Sequence, residues 1–136
     1  MTIYLLDTNI ACHIIRGDIP VVRKRLAKLP MHSVVVSVVT QAELLYGVAK
    51  RGHPQGLTKR VNEFLVRVAV LPWTEDVASV YAELRTSCEA EGKTLAPMDM
   101  MIAAHAKAVG AILVTRDKAF SRVKGGLKLE DWTTSR

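Results

Sequence analysis

Apolar residues recur in this chain with two different spacings. Residues 3–6 (IYLL), 34–37 (VVVS), 68–72 (VAVLP) and 111–115 (AILVT) are short continuous runs rich in Val, Ile and Leu, the pattern of strands covered on both faces. Between them the apolar positions fall three and four residues apart. Asp18 and Pro20 open one such stretch, which runs to Leu29. Residues 40–52 (TQAELLYGVAKRG) follow the second run with helical spacing and stop at Gly52. A loop at 52–56 (GHPQG) precedes Leu57, Val61, Phe64, Leu65 and Val68, again at helix spacing, and Pro72 closes the third strand. Thr74 can cap a helix that carries Val77, Val80, Tyr81, Leu84 and Cys88 on one face and ends near Gly92. Residues 96–110 (APMDMMIAAHAKAVG) predict a helix that starts near Pro97 and stops at Gly110, residues 118–123 one or two further turns, and residues 127–132 (LKLEDW) a last strand or sheet edge.

Strands that alternate with amphipathic helices predict an α/β fold: a mostly parallel sheet with helices on both faces, in one domain spanning residues 1–136. In such a sheet the strand C-termini and helix N-termini collect at one edge, where ligands bind. Asp7 breaks the first apolar run too early for a signal peptide, and the longest aliphatic stretch, residues 34–39, is far too short for a membrane span. A cytoplasmic protein is expected. Cys12 and Cys88, the only cysteines, lack a second ligand at metal-binding spacing and read as reduced, buried packing residues.

Four acids fall at the functional edge. Asp7 follows the first strand, Glu43 lies in the first turn of the helix after the second, Asp99 in the first turn of the 96–110 helix, and Asp117 just beyond the strand at 111–115. Each alone has a structural explanation: a T-x-x-E capping box for Thr40 and Glu43, helix-dipole complementation for Asp99, an N-cap for Asp117, a turn with Asn9 for Asp7. Together they point elsewhere. Carboxylates forced close repel unless a cation neutralises them, and an all-oxygen set suits Mg²⁺ or Mn²⁺.

The segments LLDTNI, VTQAELLYG, PMDMMIAAHA and LVTRDKAF, which carry these four acids, and the ending GGLKLEDW resemble the motifs of PIN-domain ribonucleases, and specifically the VapC-type toxins of bacterial toxin–antitoxin pairs. The resemblance covers nearly the whole chain and includes all four acids. It implies a PIN-like three-layer α/β/α sandwich and a Mg²⁺- or Mn²⁺-dependent endoribonuclease that cleaves structured RNA such as tRNA. A VapB-type antitoxin is the implied inhibitor, and a homodimer is expected. Asp7 and Asp99 would be the innermost metal ligands, Glu43 a ligand or the residue that orients the attacking water, and Asp117 a ligand directly or through water. Asn9 and Thr115, beside these acids, are candidate helpers through hydrogen bonds.

The charge balance fits an anionic substrate. Nineteen Lys and Arg against thirteen Asp and Glu give +6, with a pI near 9.6. Without the four acids, nine acidic residues face nineteen basic ones, a surplus of ten. Arg16, Lys50, Arg51, Arg116 and Lys118 lie near the motifs and are candidates for RNA backbone contacts, whereas the basic run at 23–28 reads as a solvated helix face. Aromatic residues at 5% give no evident stacking platform for single strands. His13, His32, His53 and His105 pair with no catalytic motif, and His105 on an apolar helix reads as a core or interface residue. Apolar residues at 21–29 and 57–65 are candidates for a partner groove, with core packing the default reading. Two other classes also place an aspartate after the first strand: a haloacid-dehalogenase-like phosphatase, which needs D-x-D where this chain has Asn9, and a non-catalytic receiver-like metal-binding module, which needs an adjacent acidic pair that this chain lacks.

Overall fold

The computed structural model describes residues 1–123 and 125–134. Five strands, β1 (Tyr4–Leu6), β2 (Val34–Ser37), β3 (Ala69–Leu71), β4 (Ile112–Val114) and β5 (Lys128–Glu130), form one sheet in the order β3-β2-β1-β4-β5. Every pairing is parallel, and the register sets Leu6 beside Val114 and Val114 beside Glu130. Strands of three or four residues are stable here because both faces are covered, with each buried aliphatic side chain contributing roughly 1.5–3 kcal/mol. Leu6, Val34, Val36 and Val114 point to one side, under α1 (Thr8–Arg16), α2 (Pro20–Ala27), α3 (Val38–Lys50) and α4 (Gln55–Arg67). Leu5, Val35 and Leu113 point to the other, under α5 (Glu75–Ala90) and α6 (Pro97–Val109). The result is the expected α/β/α sandwich. Short 3₁₀ turns occupy Met31–Ser33 and Lys118–Arg122.

Three details differ from the sequence reading. Helix α1 begins directly after Asp7, where only a turn was expected, and buries Ile10, Ala11, Ile14 and Ile15. Helix α3 begins at Val38, with Ser37 as its cap, so Glu43 sits in the second turn and Thr40 is not a capping residue. The basic run at 23–28 is only partly a solvated face. Arg23 donates to the carbonyls of Ile14 (2.7 Å) and Ile15 (3.1 Å) and so closes the C-terminus of α1. Arg25 reaches Glu130 at 2.7 Å and lies over the ring of Trp132.

The last strand is an edge strand held by Trp132, which is fully buried, packs against Tyr4 and donates to Glu130 at 2.8 Å. The apolar residues considered for a partner groove are mostly core: Val22, Leu26, Val61 and Phe64 are buried. Both cysteines are free, Cys88 buried as expected and Cys12 only half-buried. No helix among the described residues is long and apolar enough to cross a membrane.

Candidate metal centre at the strand C-termini

Asp7 answers two demands at once. Its carboxylate accepts from the Ile10 N–H at 2.8 Å and thereby caps α1, while its own N–H donates to the Val114 carbonyl at 3.0 Å and continues the β1–β4 ladder. The side chain is only 3% exposed. Its pKa is raised from 3.8 to about 6, by burial first and then by Asp99 and Asp117, against the opposing pull of Thr115 and the Ile10 N–H. Asp99 enters from the first turn of α6. Its pKa is also raised, first by burial and then by Asp117 and Glu43. These couplings tie all four predicted acids into one electrostatic group.

Glu43 belongs to that group through a contact the sequence did not suggest. The Thr8 hydroxyl donates to its carboxylate at 2.6 Å and lies 3.0 Å from the hydroxyl of Thr40, so α1 and α3 are joined beside the acid. Thr40 is fully buried. Asp117 caps the 3₁₀ turn, accepting from the Ala119 N–H at 2.9 Å, as its structural reading anticipated, and its own N–H donates to the Thr115 hydroxyl at 3.0 Å. Thr115 therefore touches two of the acids, holding the loop at Asp117 and acting on Asp7 as a donor that favours the charged form. Asn9 is exposed on the first turn of α1.

Among the described residues, no Lys, Arg or His forms an ion pair with any of the four acids; the ion pairs join His13 and Arg16 to Asp18, Arg25 to Glu130, and Arg85 to Glu89. Four grouped carboxylates, two of which, Asp7 and Asp99, have pKa values raised in part by their acidic neighbours, have the donor chemistry for a hard divalent ion. No three His, Cys, Asp or Glu side chains among the described residues stand close enough to close on an ion as they are. A bound dication would have to draw these carboxylates closer than they stand.

The cations around the group are unevenly placed. Arg16 and Arg51 share a cavity of about 140 Å³ with Thr8, Glu43, Leu57 and Val61. Arg116 and Lys118 line a cleft of about 300 Å³ with Thr115 and Asp117. Lys50 lies instead over the Tyr46 ring at the far end of α3. His105 is a core residue: its Nδ1 is 2.7 Å from the Ser37 hydroxyl, it meets Trp73 edge-on, and burial pushes its pKa down, leaving a neutral ring that ties α6 to β2.

A PIN domain is recognised over residues 4–126. The tRNA(fMet)-specific endonuclease VapC of Shigella flexneri is 35% identical over 131 residues, which is 96% of this chain and 98% of that one. The structure superposes on the chain in the promoter-DNA-bound VapBC2 complex of Rickettsia felis with a TM-score of 0.87 and 33% identity, covering 96% and 99% of the two chains. It also superposes on the DNA-bound VapBC of Salmonella typhimurium with a TM-score of 0.89 and 30% identity, over 97% and 99%. Shared motifs, shared topology and near-complete coverage lead to one assignment: the chain belongs to the PIN-domain family, among the VapC ribonucleases.

Proposed function

We propose that residues 1–136 act as a single PIN domain, the toxin of a VapB–VapC pair, and cut structured RNA at the carboxylate edge with a divalent ion. The observation that carries this reading is the set of four acids from β1, α3, α6 and the loop after β4, electrostatically coupled and without a cationic partner among the described residues. The haloacid-dehalogenase-like and receiver-like readings find no support among the relatives. A bound Mg²⁺ or Mn²⁺ would supply charge neutralisation of the phosphodiester, a water of lowered pKa and stabilisation of the leaving oxygen. The chain's own residues supply the rest. Asp7 and Asp99, the two acids whose pKa values are raised by burial, serve as inner ligands. Glu43, held by the Thr8 hydroxyl, has one carboxylate oxygen fixed and the other free to bind the ion or orient water. Asp117 acts directly or through water, with Thr115 fixing its loop. Arg116 and Lys118, lining the cleft beside Asp117, hold backbone phosphate.

Transfer RNA is the proposed substrate class, supported by the name of the Shigella flexneri relative. The VapBC complexes support a VapB-type antitoxin as partner and a cytoplasmic site of action. Leu45 and Tyr46 on α3 and Val66 on α4 are exposed apolar residues that a protein partner, antitoxin or second copy, would cover.

Incubation of the purified protein with bacterial tRNA in Mn²⁺, with EDTA and Asp7→Asn as controls, tests the reading. Discrete cleavage that EDTA and the substitution both abolish is expected. Cleavage that survives either control overturns the assignment of the site.

A further inference from the structure

A cavity of about 520 Å³ lies away from the four acids, between α2 and the β1–β4–β5 end of the sheet. Lys24, Arg25 and Lys28 line it with Tyr4 and Glu130. Three cations against one carboxylate leave it strongly basic. The division of labour among the three is informative. Arg25 is fixed by Glu130 at 2.7 Å and by the face of Trp132, a rigid cation that needs no ligand to stay in place. Lys24 and Lys28 are exposed and make no ion pair among the described residues. They stand one helical turn apart on the same face, roughly 5–6 Å between Cβ atoms, close to the spacing of neighbouring phosphates along a polynucleotide.

Position selects the ligand. Glu130 lines this cavity and also the cleft that holds Thr115, Arg116, Asp117 and Lys118. It stands two strands from Leu6 in the sheet register, on the order of 10 Å away. Leu6 immediately precedes Asp7. A line of positive charge therefore leads from Lys118 and Arg116 past Glu130 and Arg25 to Lys24 and Lys28. We infer that the α2 cavity is a second phosphate-binding site, which holds the sugar–phosphate backbone of the RNA substrate at a distance from the bond that is cut. Lysines at such a site act as point charges, so they add affinity and salt dependence without reading bases. The inference rests on the ribonuclease reading above but concerns binding alone.

The test compares wild type with Lys24→Ala/Lys28→Ala and Lys24→Arg/Lys28→Arg, all full-length, using unfractionated bacterial tRNA. Binding is measured in EDTA from 50 to 200 mM KCl, and cleavage kinetics in Mn²⁺. Removal of two phosphate contacts is expected to lower the slope of log K against log[salt] by about 1.5 and to weaken binding by about tenfold at the lower salt. KM should rise to match while kcat holds, and the double arginine variant should restore both. An unchanged slope and KM overturn the inference. So does a variant that loses affinity for the co-expressed antitoxin but not for tRNA, because the cavity then serves an acidic peptide. Because the slope is read in EDTA, it reports on the cavity even where no RNA is cut, so failure of the nuclease assignment is seen separately.

Discussion

A carboxylate that is 3% exposed and titrates near pH 6 is costly to keep charged. In the metal-free protein the folded state holds the Asp7 proton more tightly than the unfolded chain does. Between about pH 4 and 6 the folded form binds more protons, so stability falls as pH rises through that window and stays low above it. The shift from 3.8 to about 6 corresponds to roughly 3 kcal/mol. Asp7→Asn keeps an oxygen for the Ile10 N–H and removes the charge. In EDTA at pH 7.5 the substituted protein should resist urea more than wild type, by up to about 3 kcal/mol, with the difference vanishing near pH 4; an Asn variant less stable at both pH values contradicts this account. Thr8 makes a complementary case. Thr8→Val removes the 2.6 Å donor to Glu43 with little change of volume. Loss of such a supporting bond should reduce metal affinity or cleavage by about 10–100-fold, read by Mn²⁺ titration of tRNA cleavage, and the buried Thr40 hydroxyl left without its partner should cost about 1–3 kcal/mol in urea unfolding.

Helix α1 carries the site on its first residues, and its two ends are fixed by different means. Asp7 caps the start, and Gly17 ends it at φ +70°, with its N–H donating to the His13 carbonyl. A Cβ added at Gly17 would stand 2.7 Å from the Arg23 guanidinium, the group that closes the last carbonyls of the helix. Gly17→Ala should therefore cost about 1–2 kcal/mol in urea unfolding, from left-handed backbone strain and displaced hydrogen bonds; unchanged stability would mean that the cap is dispensable. This helix was also the least legible element. Ile10, Ala11, Ile14 and Ile15 carry a helical period, but the Asp18–Pro20 start signal is stronger; it correctly marks α2, and α1 ahead of it goes unread. Continuous apolar runs located four of the five strands, because a strand buried on both faces has no other pattern to show; the fifth, Lys128–Glu130, is an exposed edge strand without such a run. The parallel topology then brought Asp7, Asp99 and Asp117 to one edge from local signals alone. Glu43 reaches that edge from the second turn of α3 rather than the first. The T-x-x-E capping box offered as its structural explanation does not form, because Thr40 turns toward Thr8 in a contact between α1 and α3 that no local pattern encodes. The Lys24, Arg25 and Lys28 lining was missed for the same kind of reason, since a basic helix reads alike whether solvent or a cavity faces it.

For the molecule as a whole, protons and a divalent ion compete for one edge of an otherwise basic protein. Asp7 and Asp99 both have raised pKa values, and each is pushed up in part by its acidic neighbours. An ion that binds the charged forms must displace the protons they hold, so its affinity depends on pH. With Asp7 titrating near 6, each pH unit below that point should weaken Mn²⁺ binding by up to about tenfold for each proton displaced. Above pH 7 the dependence should level off, because no proton is left to remove from Asp7. The same ion flattens the stability profile above the unfolded pKa of Asp7. In EDTA the protein is more stable near pH 5 than near pH 7.5 on the account of Asp7, whereas in saturating Mn²⁺ the mass-action gain, about 2.7 kcal/mol at a hundredfold excess over Kd, is largest where the carboxylates are charged. Thermal unfolding with and without 1 mM Mn²⁺, about a hundredfold excess for a site of 10 µM Kd, should show a stabilisation that grows from pH 5 to 7 and then stays constant. In Asp7→Asn the growth should shrink to what Asp99 alone contributes. A shift of the same size at every pH would show that the ion displaces no proton from these side chains, and the four acids would then lose their claim to be its ligands.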